Sequence, residues 1–276
     1  LSTETLIANA RMYAVSPAAE TAWASLFEAA GRRAQVDWHY LPHPAPAPLG
    51  ALWSRQDLGA AFICGLPWCS RATTLTPLAA PVPDGARYRS RPCYFTEFVC
   101  RTQAPFATLD DSFGGRLAHM LPESHSGYNL PRDHLRRRLP PGAAAVYRPC
   151  ATSTATPGQV VRAVLEGDAE VGVVDSYVLD LLRAWDPQTA QGLRTLEQTA
   201  GSPNPFLVAS AMVDPMQREA IGAALRGLHL DPSGRRLLAA LRLLRFDPVD
   251  PAAYQALVAQ REACDAAGFP LTGAAT

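Results

Sequence analysis

The stretch Glu123-Ser124-His125-Ser126-Gly127-Tyr128-Asn129-Leu130-Pro131 places three small polar side chains where a helix is about to begin. Ser124 is a favourable N-cap, and the first backbone N–H groups of a helix lack internal acceptors. Together with the helix dipole they form an anion site, to which the hydroxyls of Ser124 and Ser126 add donors. Gly127 removes a Cβ where a ligand can approach the backbone. Pro131 means that the helix starts late or is kinked there.

Working outward, Arg116 to Leu121 is expected as a short strand delivering the chain to Glu123, so the stretch lies at a strand-to-helix junction. The same pattern recurs. Ala143 to Cys150 reads as a strand whose exit, Ala151-Thr152-Ser153-Thr154, is rich in hydroxyls, and Thr156-Pro157 opens a helix that Gly167 ends. Ala169 to Val174 reads as a buried strand terminating at Asp175-Ser176, where the next helix starts and runs to Trp185. Three consecutive exits are therefore polar, where an open α/β sheet places its ligands. Hydroxyls and helix-start amides suit a small tetrahedral oxyanion. Asp175 caps a helix and can also take a proton from the anion or pair with a ligand amine.

Towards the N-terminus, Leu6 to Val15 is expected as a strand, Ser16-Pro17 to Ala30 as a helix stopped by Gly31, Ala34 to Tyr40 as a strand, Pro48 to Trp53 as a short helix and Ala60 to Cys64 as a third strand. Alternating strands and helices imply parallel pairing, with Tyr13, Cys64, Gly65 and Trp68 near strand ends. Leu75 to Ser90, rich in Pro and Ala, is expected to be irregular or edge-like, and Cys93 to Arg101 to be a strand. Arg194 to Thr199 and Pro205 to Met212 are further strands. The rest reads as helical, with Asp214-Pro215, Asp231-Pro232 and Asp250-Pro251 as helix starts.

At 276 residues the chain suits two lobes or one large α/β domain. Net charge is zero, with 25 basic and 25 acidic residues, so no global field favours nucleic acid or an anionic membrane. Every basic residue is arginine, which excludes Schiff-base, pyridoxal-anchoring and P-loop lysine chemistry, and no cofactor is expected. The six cysteines lack zinc or redox spacing and read first as buried thiols, with one or more bridges as the alternative. His39 and His43 lie on a proline-bounded loop without an evident third ligand, so no metal is expected. No run of eighteen apolar residues occurs, and Leu1 to Thr5 lack the features of a signal peptide.

The run from Glu123 to Pro131, followed by Thr154-Ala-Thr-Pro-Gly-Gln-Val-Val-Arg and by Ala169-Glu-Val-Gly-Val-Val-Asp-Ser176, resembles the phosphonate, phosphite and phosphate substrate-binding proteins of ABC transporters. Those proteins hold an oxyanion on a Ser-x-Ser-Gly helix start. The resemblance implies a two-lobed type II periplasmic-binding-protein fold, α/β, each lobe a mostly parallel sheet flanked by helices, with a ligand cleft between them. Residues 1–98 plus 206–276 would form lobe 1, with the C-terminal helices, and 99–205 lobe 2. Carried over residue by residue, Ser124, His125 and Ser126 contact the ligand oxygens, with Tyr94 from a crossover strand and Asp175 across the cleft; Thr154 at the neighbouring exit and Tyr13 and Trp68 in the other lobe complete the expected contacts. Two departures stand out. His125 replaces the usual Thr; larger and able to be cationic, it would either favour a more highly charged anion or fill the pocket. Gly65-Leu66-Pro67-Trp68 replaces a frequent Tyr. Glu123 repels a dianion unless it points to solvent. The expected function is non-enzymatic capture of a small anion for an ABC permease, by a monomer, in the periplasm or another extracytoplasmic space. A chorismate dehydratase-like enzyme or a ligand-sensing relative on the same fold is the alternative.

Overall fold

The computed structural model describes residues 5–71, 74–152 and 154–273. In chain order the elements are β1 Leu6–Asn9, α1 Pro17–Ala34, β2 Trp38–Tyr40, α2 Leu49–Trp53, β3 Leu58–Ile63, α3 Gly65–Cys69, β4 Leu75–Pro83, β5 Cys93–Tyr94, β6 Thr96–Arg101 and β7 Arg116–Ala118. There follow α4 Leu130–Arg138, β8 Arg148–Pro149, α5 Pro157–Glu166, β9 Val171–Asp175, α6 Ser176–Trp185, α7 Pro187–Gln191, β10 Leu193–Gln198, β11 Ser202–Pro203, β12 Phe206–Ser210, α8 Pro215–Gly227, α9 Pro232–Ala240, β13 Leu243–Asp247 and α10 Gln255–Ala266. The chain divides into two compact units, the first up to Cys93 with Pro203–Pro251, the second Tyr94–Ser202 with the residues from Ala252 on.

Unit 1 is built on a sheet ordered β13-β4-β12-β3-β1-β2. β1 pairs in parallel with β2 and β3, while β12 is antiparallel to both β3 and β4, and β13 to β4. The sheet is thus mixed, where a mostly parallel one was expected. The reason is connectivity: the chain leaves this unit beyond the carboxyl end of β4 and returns to the same end, so the returning β12 must run the other way. Ser16 caps α1, its Oγ accepting the amide of Ala19 at 3.2 Å. Gly31 does not end this helix, which continues to Ala34 and stops at Gln35 in the left-handed conformation. Gly31 instead makes room for Trp38, since a Cβ there would lie 2.2 Å from the indole nitrogen.

β4 is a nine-residue strand where irregular or edge-like chain was expected. Residues 75–79 pair only with β12 and residues 80–83 only with β13. Each half therefore needs hydrogen bonds on one side, which is the condition under which Pro77, Pro81 and Pro83 are tolerated in a strand. β13 was not expected at all.

Unit 2 carries a sheet ordered β10-β6-β9-β7-β8. β7 is parallel to β8 and β9, and β6 runs against both β9 and β10, so this sheet too is mixed, with one reversed strand. Its core joins Phe98, Leu117, Leu135, Tyr147, Val171 and Val173 to Phe269 and Leu271. The C-terminal segment consequently belongs here and not to the first lobe, where it was expected. Buried Arg132 on α4 fixes it, with Nε donating to the Phe269 carbonyl and Nη1 to Asp265, each at 2.5 Å, and Nη2 to the Cys264 carbonyl at 3.2 Å. The chain passes between units at 93/94 and 202/203, against the expected 98/99 and 205/206, so Tyr94 also falls in unit 2.

Among the described residues, no helix is long and apolar enough to cross a membrane, and no group of three or more His, Cys, Asp or Glu residues is arranged to hold a metal ion. His43 bonds the Pro48 carbonyl at 3.0 Å, and exposed His39 sits on β2. Cys100 and Cys264 are buried thiols, and Cys93 and Cys150 are half-buried ones.

Candidate functional site

β7 and β9 run side by side in parallel, with Ala118 opposite Gly172, so their carboxyl ends share one edge of the unit 2 sheet. The chain that leaves β7 turns through Leu121 and Pro122 into a single π-helical turn, His125–Asn129, which continues into α4. The widened turn explains Pro131: it occupies the first turn of the α-helix proper, where its missing N–H costs no bond. Ser124 is the N-cap, as expected, with its Oγ accepting the amide of Gly127 at 3.0 Å. Gly127 has a packing reason, however. A Cβ at that position would lie 2.6 Å from Met120, so the methionine fills the space reserved for a ligand in the sequence reading.

No acceptor among the described residues takes the amides of His125 or Ser126, nor is the Ser126 hydroxyl engaged. Ser126 is held by its carbonyl, which accepts from the Thr96 hydroxyl at 2.7 Å. Thr96 opens β6 directly opposite Asp175 at the end of β9. Its amide in turn donates to Thr199 Oγ1 at 3.0 Å. Thr96 and Thr199 were missed in the sequence because a threonine at a strand end looks the same whether it packs or anchors a loop.

Asp175 caps α6 with one oxygen, Oδ1, which accepts the amides of Tyr177 at 2.7 Å and Val178 at 3.4 Å. The other oxygen has no donor among the described residues. Burial pushes this carboxyl up to about 7, against the opposing effect of the two amides, so that near neutral pH it is present in both protonation states. Ser176 next to it bonds the amide of Phe95 at 3.0 Å and so ties the chain just after buried Tyr94 to this edge.

His125 is only 1% exposed, and neither ring nitrogen finds a partner among the described residues. Desolvation holds its pKa down to about 4, with Asp133 opposing. The imidazole is therefore neutral, so of the two readings of His125 its burial removes the cationic one. Glu123 is exposed and removed from the question of repulsion. Thr154 is buried, its hydroxyl donating to the carbonyl of His119. Thr152 is bound to Asp168 on the exposed side at 2.7 Å, and Ser153 lies outside the described residues.

The structure thus brings Ser124, His125, Ser126, Thr154 and Asp175 to one edge of unit 2, with Tyr94 two residues before Thr96. Tyr13 and Trp68 lie in unit 1. Tyr13 stacks on Trp23 at 6.4 Å between ring centroids and meets Phe62 edge-on at 4.9 Å. Trp68 packs edge-on against Phe206 at 5.3 Å.

Two α/β units, each a mixed sheet in which the first strand after the chain enters or re-enters runs against its neighbours, define the type II periplasmic-binding-protein fold. Residues 14–254 match the family described as the phosphonate-binding periplasmic substrate-binding proteins of ABC transporters, and the chain belongs to it. Solved structures agree on the fold. A binding-protein component of an ABC phosphonate transporter from Pseudomonas aeruginosa superposes with a TM-score of 0.80 at 13% identity, over 97% of this chain and 88% of that one. PhnD1 from Prochlorococcus marinus, in complex with methylphosphonate, gives 0.70 at 13% identity over 96% and 99%. A Xanthomonas citri protein bound to ATP gives 0.65 at 18% identity over 96% and 98%. No curated protein sequence matches the chain. The family is one of solute-binding proteins, not enzymes; its members act outside the cytoplasm with an ABC permease.

Proposed function

We propose that the protein captures a small phosphorus oxyanion, a phosphonate, phosphite or phosphate, for delivery to an ABC permease. The observation that carries this reading is the set of uncommitted groups at the β7 and β9 exits: two helix-start amides and the Ser126 hydroxyl as donors, and the second oxygen of Asp175 as acceptor. Neutral donors of this kind bind an oxyanion without importing a counter-charge. A carboxyl that titrates near 7 accepts a proton from the monoprotonated anion when ionised and donates to the dianion when neutral. Tyr94, Thr154 and neutral His125 complete the proposed set of contacts. The methylphosphonate held by the Prochlorococcus marinus relative supports the same ligand class. The reading rests on unit 2 alone and does not require Tyr13 or Trp68.

Isothermal titration with phosphate, phosphite, methylphosphonate, 2-aminoethylphosphonate, methanesulfonate and acetate tests it. At least one phosphorus oxyanion is expected to bind with one-to-one stoichiometry. At about a thousand times its Kd it should add roughly 4 kcal/mol, a rise in Tm on the order of 8 to 16 °C. Absence of binding by every phosphorus oxyanion would overturn the proposal.

A further inference from the structure

Counting the free hydrogen-bonding groups at this edge shows more acceptors than the oxyanion's own oxygens can use. Thr154 gives its hydroxyl hydrogen to the His119 carbonyl, which leaves its oxygen able only to accept. His119 follows β7 directly. Its Nδ1 lies 2.8 Å from the Met120 carbonyl, and because a carbonyl only accepts, Nδ1 carries the hydrogen. The ring is half-buried and stands edge-on to Tyr128 of the π-helical turn, 5.3 Å between centroids. Burial lowers its pKa, so the ring is neutral and Nε2 is a bare lone pair with no donor among the described residues. One residue thus touches all three parts of the edge: the β7 exit, the Thr154 loop and the helix start that carries Ser126.

We propose that His119 is a specificity-determining residue whose Nε2 accepts the hydrogen of a proton-bearing oxyanion, so that the protein takes hydrogen phosphonates or hydrogen phosphate and rejects sulfate and sulfonates. This rests on the oxyanion reading above. At neutral pH an alkylphosphonate monoanion keeps one O–H and phosphate keeps one as the dianion or two as the monoanion, whereas sulfate and sulfonates keep none. A fixed lone pair set against an unprotonated oxygen repels it and has no rotamer by which to become a donor while Nδ1 holds the Met120 carbonyl. Discrimination by a polar group that the wrong ligand leaves unpaired is strong compared with discrimination by size.

Calorimetry at pH 6.5 compares methylphosphonate and phosphate with methanesulfonate and sulfate on the wild type and on His119→Phe, which keeps a ring against Tyr128 but has no acceptor. The wild type should prefer the better phosphorus oxyanion by about 100-fold or more over the better sulfur one. His119→Phe should lose about tenfold for the phosphorus oxyanion and bind the sulfur one more tightly than the wild type does, shrinking the ratio by about tenfold or more. His119→Gln, able both to donate to the Met120 carbonyl and to accept, should restore part of it. Binding with an unchanged ratio in both variants overturns the role of His119 and leaves the oxyanion reading standing. No binding of any of these anions to the wild type removes both.

Discussion

At the exits of β1 and β3 the chain of unit 1 turns inward: Tyr13 joins an aromatic cluster with Trp23 and Phe62, and Trp68 packs on Phe206. Asn9, buried at the end of β1, commits its amide to the Leu41 carbonyl at 2.7 Å and its oxygen to the Arg11 amide at 2.8 Å. At the corresponding exits of unit 2 polar groups are left open on buried Ser126 and Asp175 and on half-buried His119: the amides of His125 and Ser126, one oxygen of Asp175, Nε2 of His119. Both units have co-directional strands with reversed strands set among them, β12 and β13 in unit 1 and β6 in unit 2. The sheet plan therefore does not make the binding edge. What distinguishes it is a set of hydrogen-bonding groups that the protein itself leaves unused and a ligand can take up.

The sharpest way to break this contrast is to treat the aromatic cluster of unit 1 as core. Trp23 is fully buried, touches Tyr13, Phe27 and Phe62, and donates to the Tyr13 carbonyl at 3.2 Å. Trp23→Ala is expected to lower the unfolding free energy by about 3 to 5 kcal/mol in urea denaturation. A loss under 1 kcal/mol would show that this cluster is no better packed than the open edge of unit 2.

The next effect separates two buried titratable groups of opposite sign. Asp175 has a folded pKa raised to about 7 from 3.8, so between about pH 4 and 7 the folded state holds the extra proton and stability falls as pH rises. His125 has a folded pKa lowered to about 4 from 6.5, so over nearly the same window the unfolded state holds the proton and stability rises with pH. In the wild type the two slopes largely cancel. Asp175→Asn keeps a capping side chain but removes one slope, and its stability should then climb by about 3 kcal/mol from pH 4 to 7. A flat profile in that variant would mean that His125 is partnered or solvated.

Ser126→Ala probes the open edge itself. With its hydroxyl unengaged by the protein, the substitution should leave stability unchanged and weaken oxyanion binding by roughly 1 to 3 kcal/mol. Unchanged affinity in the titration would remove Ser126 from the site.

Much of unit 2 was legible because its signals are local. A Thr-Pro start, Gly167 in the left-handed conformation and an Asp-Ser strand exit act within one turn of chain, and α5, β9 and α6 fall within a few residues of where they were expected. Where the answer depended on distant chain, the sequence was silent. Nothing in Cys264 to Leu271 indicates that Arg132, over a hundred residues away, will hold it, and nothing in Pro77 or Pro81 reveals that each half of β4 has a single neighbour. The site was legible in outline for the same reason: Ser124 and Asp175 cap their own helices. The charge of His125 and the tautomer of His119 are properties of burial and of a single carbonyl contact, and only the fold supplies those.

The smallest effect concerns how the Thr154 loop is held. Thr156 and Gln159 form a reciprocal capping box at the start of α5, the Thr156 hydroxyl accepting from the Gln159 amide at 3.2 Å while the Gln159 side chain takes the amides of Ala155 and Thr156. Thr156→Ala should cost about 1 kcal/mol in urea denaturation. Thr154 is anchored separately, by its own hydrogen bond to His119, and not by the cap. Oxyanion affinity in Thr156→Ala is therefore expected to change less than twofold. A larger loss of affinity than of stability would show that the cap, and not the His119 carbonyl, positions this side of the edge, and would bring the two ends of α5 into the comparison with the self-contained exits of unit 1.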